Sequence, residues 1–168
     1  MKTYFCSISR LPVFLANMLV AGIMVASAPT WAGDQCIRGT LNAEVDLLSP
    51  YGPAVGTAIA MIGDQVLPIQ AFGVIVSSKV TEGGNIHLVV EENDSTPDGS
   101  TIQIRDNIKL TPTEAPGEYD MDINSKILGG TGIFYDVDGK YQGSGHASFN
   151  TGHLSHTGEA KICGLAGF

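Results

Sequence analysis

Apolar and polar residues alternate along several short stretches, and this alternation constrains the fold more than any other feature. In residues 37–47 the odd positions are apolar or glycine and the even positions are polar. The same period of two returns at 101–110, 118–124 and 140–150. Successive side chains of a strand point to opposite faces, so each stretch predicts a half-buried β-strand.

Further strands are predicted at 55–62, 66–79, 86–92 and 157–163, which makes about eight in all. Glycine, proline and aspartate separate the strands, as in Pro97-Asp98-Gly99, and these residues favour tight turns. Such short connections leave no room for crossovers and indicate antiparallel pairing of successive strands. Because only closure abolishes the sheet edges, we expect an all-β fold, an eight-stranded antiparallel up-and-down closed barrel.

The first 32 residues have the pattern of a secretory signal peptide. Lys2 and Arg10 precede an apolar run at 11–28, and the segment ends Ala28-Pro29-Thr30-Trp31-Ala32, with a small residue at the predicted cleavage site. We therefore predict a signal peptide at 1–32, cleaved after Ala32, and a single barrel domain at 33–168, in a secreted or periplasmic protein. An uncleaved membrane anchor is the alternative, but the run is shorter than the ~20 residues that a span needs.

Two cysteines, Cys36 and Cys163, lie near the two ends of the predicted barrel domain. Cys36 opens the first strand and Cys163 ends the last, both on the polar face, and these strands are neighbours in an up-and-down barrel. In an oxidising compartment such a pair forms a disulfide, which here would fasten the barrel seam. A metal site or a reactive thiol lacks support, because no Cys-x-x-Cys motif or Cys/His cluster lies beside either residue.

The charge balance excludes some partners. After Ala32 the chain keeps all 17 acidic residues but loses Lys2 and Arg10 from its 9 basic ones, which gives a net charge of about −10. This charge predicts no nucleic-acid partner and, after signal cleavage, no membrane partner. The four histidines do not converge with other ligand types, so we expect no metal. The sequence contains no phosphate-cradling loop and no dinucleotide fingerprint, so we expect no cofactor.

Residues 55–62 and 66–76 are apolar on both strand faces. One face can line the barrel, and the other must be covered by a long loop or by another subunit. We expect a homo-oligomer.

One acidic residue breaks the alternation. Asp106 occupies an apolar position of its strand, between Ile104 and Ile108. A carboxyl group facing the barrel interior would lose solvent and have a raised pKa, as a general acid or base near neutral pH requires. Asp106 is therefore our candidate catalytic residue. The alternative is a β-bulge at Asp106-Asn107 that returns the side chain to solvent.

Four residues are candidates to line a ligand cavity. Gln70 and Phe72 share the parity of the apolar residues that follow them, and Tyr119 and Tyr141 occupy inward positions of their strands. The alternative for the tyrosines is a core role with a hydrogen-bonded hydroxyl.

The segment 127–134, Ile-Leu-Gly-Gly-Thr-Gly-Ile-Phe, is followed by Gly139 five residues after its Phe. This pattern resembles the glycine-rich strand end of the allene oxide cyclase and dirigent barrels; without the resemblance, the glycines indicate a bulge or sharp bend. The resemblance implies an eight-stranded barrel, commonly assembled as a trimer, whose apolar cavity binds a lipophilic molecule and steers its cyclisation or isomerisation without a cofactor.

The chain also departs from that family. Asp136 stands where the plant relatives usually have glycine, and the His-Asp pair of the dirigent first strand is absent. Glu44 lies on a strand comparable to that of the cyclase carboxylate, but no flanking motif aligns it, so no catalytic residue is transferred.

Two functions follow from the sequence. The first is an exported barrel that binds a lipophilic small molecule and steers its cyclisation or isomerisation. The second is a non-catalytic secreted barrel with a packed interior, acting as a structural or interaction protein. A cavity with an inward-facing polar group would favour the first.

Overall fold

The computed structural model describes residues 36–50 and 52–165. They form eight strands: β1 (Cys36–Leu47), β2 (Ala54–Ile62), β3 (Gln65–Val80), β4 (Ile86–Ser95), β5 (Thr101–Pro112), β6 (Glu118–Gly130), β7 (Asp138–Ser148) and β8 (His153–Cys163). Each strand pairs antiparallel with the next, and β8 pairs with β1, so the sheet is a closed barrel. The predicted fold class is confirmed. The predicted signal peptide lies outside the described residues.

The structure lengthens several of the predicted strands, three of them by three residues or more. β4 extends to Ser95, β6 extends to Gly130, and β8 begins four residues earlier than expected, at His153. Two short 3₁₀ turns, Glu82–Gly84 and Gly132–Phe134, are the helical segments of the described chain, in which no helix is long and apolar enough to cross a membrane.

The seam between β1 and β8 is closed by a strand ladder and by a disulfide. The ladder runs from Cys36 opposite Cys163 to Asp46 opposite His153. The two cysteines are bonded, with their Cα atoms 4.0 Å apart. The predicted disulfide is confirmed, and it joins residues 127 positions apart in the sequence.

Large side chains fill the two ends of the barrel, and small ones line one wall of its middle. At one end Leu110 and Met121 are almost fully buried, and at the other end Phe134 is 1% exposed. Between the ends, β1 and β2 present alanines to the interior: Ala43, Ala58 and Ala60. Because alanine fills little volume, this wall leaves space inside the barrel.

The glycine-rich segment forms the bulge that its glycines predict. Ile127 lies opposite Ile104 while Gly129 lies opposite Gln103, so β6 holds one extra residue there. Gly129 has φ +113°, a conformation that side chains rarely adopt. A Cβ atom at Gly130 would lie 1.8 Å from the carbonyl oxygen of Thr101. The chain then turns sharply and places Phe134 across the end of the barrel.

The outer faces of β2 and β3 are apolar and open to solvent. Their exposed side chains are Ile59, Met61, Val66, Phe72, Val74 and Val76, which are between 39% and 62% exposed. No loop among the described residues covers this face.

The disulfide makes a measurable contribution to stability. Replacing both cysteines with Cys36→Ser and Cys163→Ser should lower the free energy of unfolding by roughly 4–5 kcal/mol, because a long loop is released in the unfolded chain. Urea unfolding followed by circular dichroism measures this change. Dithiothreitol should destabilise the parent protein and leave the double variant unaffected. Equal stabilities of the two oxidised proteins would contradict the role of the disulfide.

Candidate functional site

A layer of polar side chains crosses the middle of the barrel interior. Its members come from β4 to β8 and face the alanine wall of β1 and β2: Glu92, Asp94, Asp106, Ser125, Tyr141 and His156. We call this set the interior polar layer. Each position follows from the period of two, since every member continues the inward parity of the apolar residues in its own strand.

The three carboxyl groups form a close cluster. Asp106 is 5% exposed, and its side chain is hydrogen-bonded to that of Glu92. Asp94 is also 5% exposed, and one of its oxygens accepts a hydrogen bond of 3.0 Å from the backbone N–H of Phe72. The buried Ser125 hydroxyl makes no hydrogen bond of standard geometry, although it is close enough to Asp106 to lower the pKa of that carboxyl group.

Burial raises the pKa of all three carboxyl groups. The pKa of Glu92 is well above its usual value, because the side chain is desolvated and lies beside the charges of Asp106 and Asp94. The pKa of Asp94 is raised to about 7, mainly by burial, and the Phe72 N–H offsets part of the rise. Burial also raises the pKa of Asp106, against hydrogen bonds that lower it. The cluster therefore holds protons at a pH where surface carboxylates have lost theirs.

Tyr141 and His156 form the second half of the layer. The Tyr141 hydroxyl lies 2.8 Å from His156 Nδ1. Burial lowers the pKa of His156 to about 4, so the imidazole is neutral at pH 7. Burial, Asp106 and Glu92 raise the pKa of the tyrosine. Both groups are uncharged, and the hydroxyl can donate to Nδ1 when the imidazole proton is on Nε2.

Gly143 leaves room for this tyrosine. A Cβ atom at position 143 would lie 2.2 Å from the Tyr141 hydroxyl oxygen. A side chain at the inward position of β7 that follows Tyr141 would therefore collide with the tyrosine hydroxyl.

Two cavities lie against the polar layer. One, of about 70 Å³, is lined by all six members of the layer, by the alanine wall and by Phe134. The other, of about 50 Å³, reaches towards the opposite end and is lined by Leu110, Met121 and Phe149. Glu92, Asp106 and His156 line both cavities, so these side chains separate the two spaces.

The structure places Asp106 as the sequence predicts. Its side chain points inward, opposite Ser125 of β6 and Val90 of β4. The alternative of a bulge at Asp106-Asn107 is wrong, because both residues pair in continuous register with β4 and β6, and the extra residue of the one register shift, at Gln103/Ile104, lies on β6. The catalytic role of Asp106 stays a prediction.

The two tyrosines have different surroundings. Tyr141 lines the larger cavity. Tyr119 packs with the core at one end of the barrel, where its ring lies 5.2 Å from the ring of Phe149. Tyr119 is a core aromatic, in agreement with the alternative stated for it.

The prediction that Gln70 and Phe72 line the interior is wrong. Both side chains are exposed on the outer face of β3, and Phe72 is 45% exposed. The inward parity of this strand is that of Ile69 and Gly73 instead. Because both faces of β3 are apolar, alternation could not identify the inward one. Phe72 still serves the site through its backbone N–H, which binds Asp94.

Sequence reasoning missed Glu92, Asp94 and His156. The strand predicted at 86–92 ends before Asp94, and the strand predicted at 157–163 begins after His156. Leu88 and Val90 point inward, and continuing their alternation along β4 places Glu92 and Asp94 on the same inner face. Continuing the alternation of β8 backwards from Gly158 would have done the same for His156.

Within residues 36–50 and 52–165, no group of three or more His, Cys, Asp or Glu side chains has the arrangement to hold a metal ion. Comparisons with protein-family models, with curated proteins and with solved structures find no match to this chain. The likeness of residues 127–134 to the allene oxide cyclase and dirigent barrels stays a prediction.

The raised carboxyl pKa values predict how stability depends on pH. A carboxyl group with a raised folded-state pKa stabilises the fold below its unfolded pKa, and this stability is lost as the pH rises through the folded value. His156 acts oppositely, since its lowered pKa costs stability as the pH falls from about 6.5 to about 4. The free energy of unfolding should therefore fall by roughly 1–3 kcal/mol between about pH 6 and about pH 8.

Urea unfolding at a series of pH values measures this dependence. Glu92→Gln should flatten the profile, because the amide cannot ionise. Asp122→Asn is the matched control, since Asp122 is exposed on β6 and its loss should leave the slope unchanged. A parent profile that rises towards pH 8 would contradict the assignment.

Proposed function

We propose that the barrel binds a small, uncharged, lipophilic molecule beside the interior polar layer and steers its isomerisation or cyclisation by proton transfer. The observation that carries the proposal is the carboxyl cluster. Three acidic side chains face a buried cavity with raised pKa values, although apolar residues would fill the space at lower cost to stability.

The pairing of Glu92 with Asp106 supports acid–base chemistry. The two carboxyl groups share a hydrogen bond, and one of them can hold a proton while the other is ionised. Such a pair can give a proton to one atom of a bound molecule and take a proton from another. An isomerisation of this kind requires no cofactor. We assign the catalytic role to Asp106, because it lines both cavities and lies beside Ser125.

The charge of the site restricts the ligand. Both cavities are lined by carboxyl groups and a neutral imidazole, and neither is lined by a lysine or an arginine. A ligand carboxylate would meet only like charge or uncharged partners, with no cation to offset its desolvation. A hydroxyl or carbonyl group, by contrast, can hydrogen-bond to the protonated carboxyls or to Tyr141. The oxygen functions of the ligand are therefore uncharged.

The volume of the site restricts the ligand further. The cavities measure about 70 Å³ and about 50 Å³, whereas an engineered cavity of about 150 Å³ holds one benzene molecule. A single ring therefore needs both spaces, with the side chains between them moved aside. Long-chain molecules require a larger rearrangement, so a compact ligand fits the barrel best.

Export fits the same proposal. The disulfide indicates an oxidising compartment, and residues 1–32 have the composition of a signal peptide. We infer a secreted or periplasmic protein of the allene oxide cyclase and dirigent type. The bulged glycine segment that carries this likeness ends in Phe134, which closes one end of the larger cavity.

The second candidate function is a non-catalytic barrel with a packed interior. The small size of the cavities favours it, because side chains occupy most of the inner space. Binding of a ring-sized probe separates the two candidates.

A matched pair of probes tests the ligand class. Benzyl alcohol and benzoate have the same ring and differ in charge. In amide NMR spectra, benzyl alcohol should shift the resonances of Asp106, Ser125 and Tyr141, whereas benzoate should leave them in place. Equal binding of both probes would exclude the charge argument. If neither probe binds, the packed structural barrel is the better account.

The catalytic role of Asp106 requires the natural ligand. Native mass spectrometry of the protein purified from its own host's exported fraction can identify a retained molecule, which then serves as substrate. Asp106→Asn should lower turnover at least ~100-fold, because the amide keeps the shape but cannot transfer a proton. The control is Asp122→Asn on the outer face. Unchanged turnover in Asp106→Asn would exclude this role.

The open apolar face of β2 and β3 supports a homo-oligomer. We propose that a second copy of the chain covers this face, and the resemblance to the barrel families implies a trimer. Light scattering should give a mass above that of one chain, and Phe72→Lys should reduce the mass to that of a monomer. A monomeric parent protein would contradict the proposal.

A further inference from the structure

A row of five basic side chains crosses the outer surface of the barrel on the side away from β2 and β3. Strand register places them directly opposite one another, from β1 through β8, β7 and β6 to β5. We call this row the basic belt, and its members in order are Arg38, Lys161, Lys140, Lys126 and Arg105. All five are exposed.

The belt contains most of the few basic residues of the barrel. The sequence holds 9 lysines and arginines, of which Lys2 and Arg10 precede the barrel, so the belt contains five of the remaining seven. The chain as a whole has a net charge of −8. Like charges directly opposite one another on a sheet are destabilising, so the belt does not stabilise the fold.

Carboxylates neutralise the belt only at its ends. Arg38 lies 4.0 Å from Glu159, and Arg105 lies 3.2 Å from Glu91. The three central lysines make no ion pair with any described residue, and they border a surface depression of about 470 Å³. The centre of the belt is therefore free to bind an anion.

Two carboxylates border the depression together with the belt: Asp138 lies two residues from Lys140 on β7, and Glu159 lies two residues from Lys161 on β8. The other outward acidic residues of this wall lie farther along the strands. Asp122 is four residues from Lys126 on β6, which is about 13 Å, and Glu44 is six residues from Arg38 on β1, which is about 20 Å. Both separations exceed the screening length of about 8 Å at physiological ionic strength. The depression is lined by four basic and two acidic side chains, so a ligand in it meets a net positive charge, in spite of the acidic net charge of the chain.

The shape of the belt selects a flexible linear ligand. Neighbouring strands lie ~4.8 Å apart, so the belt offers about one charge per strand over a path of about 19 Å. The path crosses four of the eight strand-to-strand steps, which is half of the barrel circumference. A flat lipid surface would touch only part of so curved a row. A chain with one anionic group on each unit can follow all of it.

The adjacent row of side chains indicates a carbohydrate. Next to the belt lies a row in which four side chains have hydroxyl or amide groups and the fifth is a carboxylate, and all five can hydrogen-bond to sugar hydroxyls: Thr40, Glu159, Gln142, Asn124 and Asn107. Neither row contains an aromatic side chain on which nucleic-acid bases could stack. We propose that the basic belt binds a linear acidic polysaccharide, with one carboxylate on each sugar. This binding is independent of the interior site.

Isothermal titration of the mature protein with polygalacturonate tests the proposal. The parent protein should bind, and Lys140→Gln with Lys161→Gln should weaken binding by roughly tenfold. The matched control is Lys79→Gln with Lys109→Gln, which removes the same charge outside the belt and should change affinity by less than about twofold. The methyl ester of the polymer, which lacks the charges, should not bind.

The thermal midpoint gives a second readout. Removing Lys140 and Lys161 relieves like-charge contacts, so the belt variant should melt about 1–3 °C above the control variant. Equal loss of affinity in both variants, or equal binding of the ester, would overturn the proposal. Tighter binding of a single-stranded oligothymidylate through the belt would overturn the choice of a polysaccharide.

Discussion

The pairing of β8 with β1 is the interaction on which the rest of the structure depends. It converts a row of hairpins into a barrel and gives every strand one inner and one outer face. Once the barrel is closed, the inward side chains of all eight strands occupy one common interior. The disulfide between Cys36 and Cys163 fastens the same seam, so the covalent and hydrogen-bonded closures act at one place.

Barrel closure also makes ionisation of the interior carboxyl groups energetically unfavourable. In an open sheet Glu92, Asp94 and Asp106 could turn towards water, whereas in the barrel they are confined beside one another. Their raised pKa values are the direct result of that confinement. The alanines of β1 and β2 keep the opposite wall clear, so the carboxyl groups face a cavity rather than packed side chains. The site thus arises from large polar residues on one wall and small apolar residues on the other.

The outer surface divides into faces with different chemistry. β2 and β3 carry the open apolar face, while the basic belt follows β5 to β8 and β1 on the other side. An assembly formed through the apolar face would leave the belt exposed. The proposed oligomer and the proposed polysaccharide surface are therefore compatible on one barrel.

The sequence predicts the fold better than the site. Alternation locates four of the strands, apolar runs between turn residues locate the others, and the two cysteines indicate the closed seam. Alternation cannot show whether Gln70 and Phe72 face inward or outward, because both faces of β3 are apolar. Glu92, Asp94 and His156 do follow the inward parity of β4 and β8, but polar residues there resemble the residues of a turn, which conceals their inward position. The basic belt depends on register between strands far apart in the chain, so no local pattern could show it.

The most direct test of the account is a pH titration of the side-chain carboxyl carbons by NMR, with Glu92, Asp94 and Asp106 assigned by substitution. The account predicts that these three carboxyl groups titrate well above the usual range, with Asp94 near pH 7. It predicts that Glu118, whose pKa is lowered by hydrogen bonds from Ser148, His146 and Asn150, titrates below that range. If all three interior groups titrated at ordinary values, the carboxyl groups would be solvated, and the proposed site would not exist.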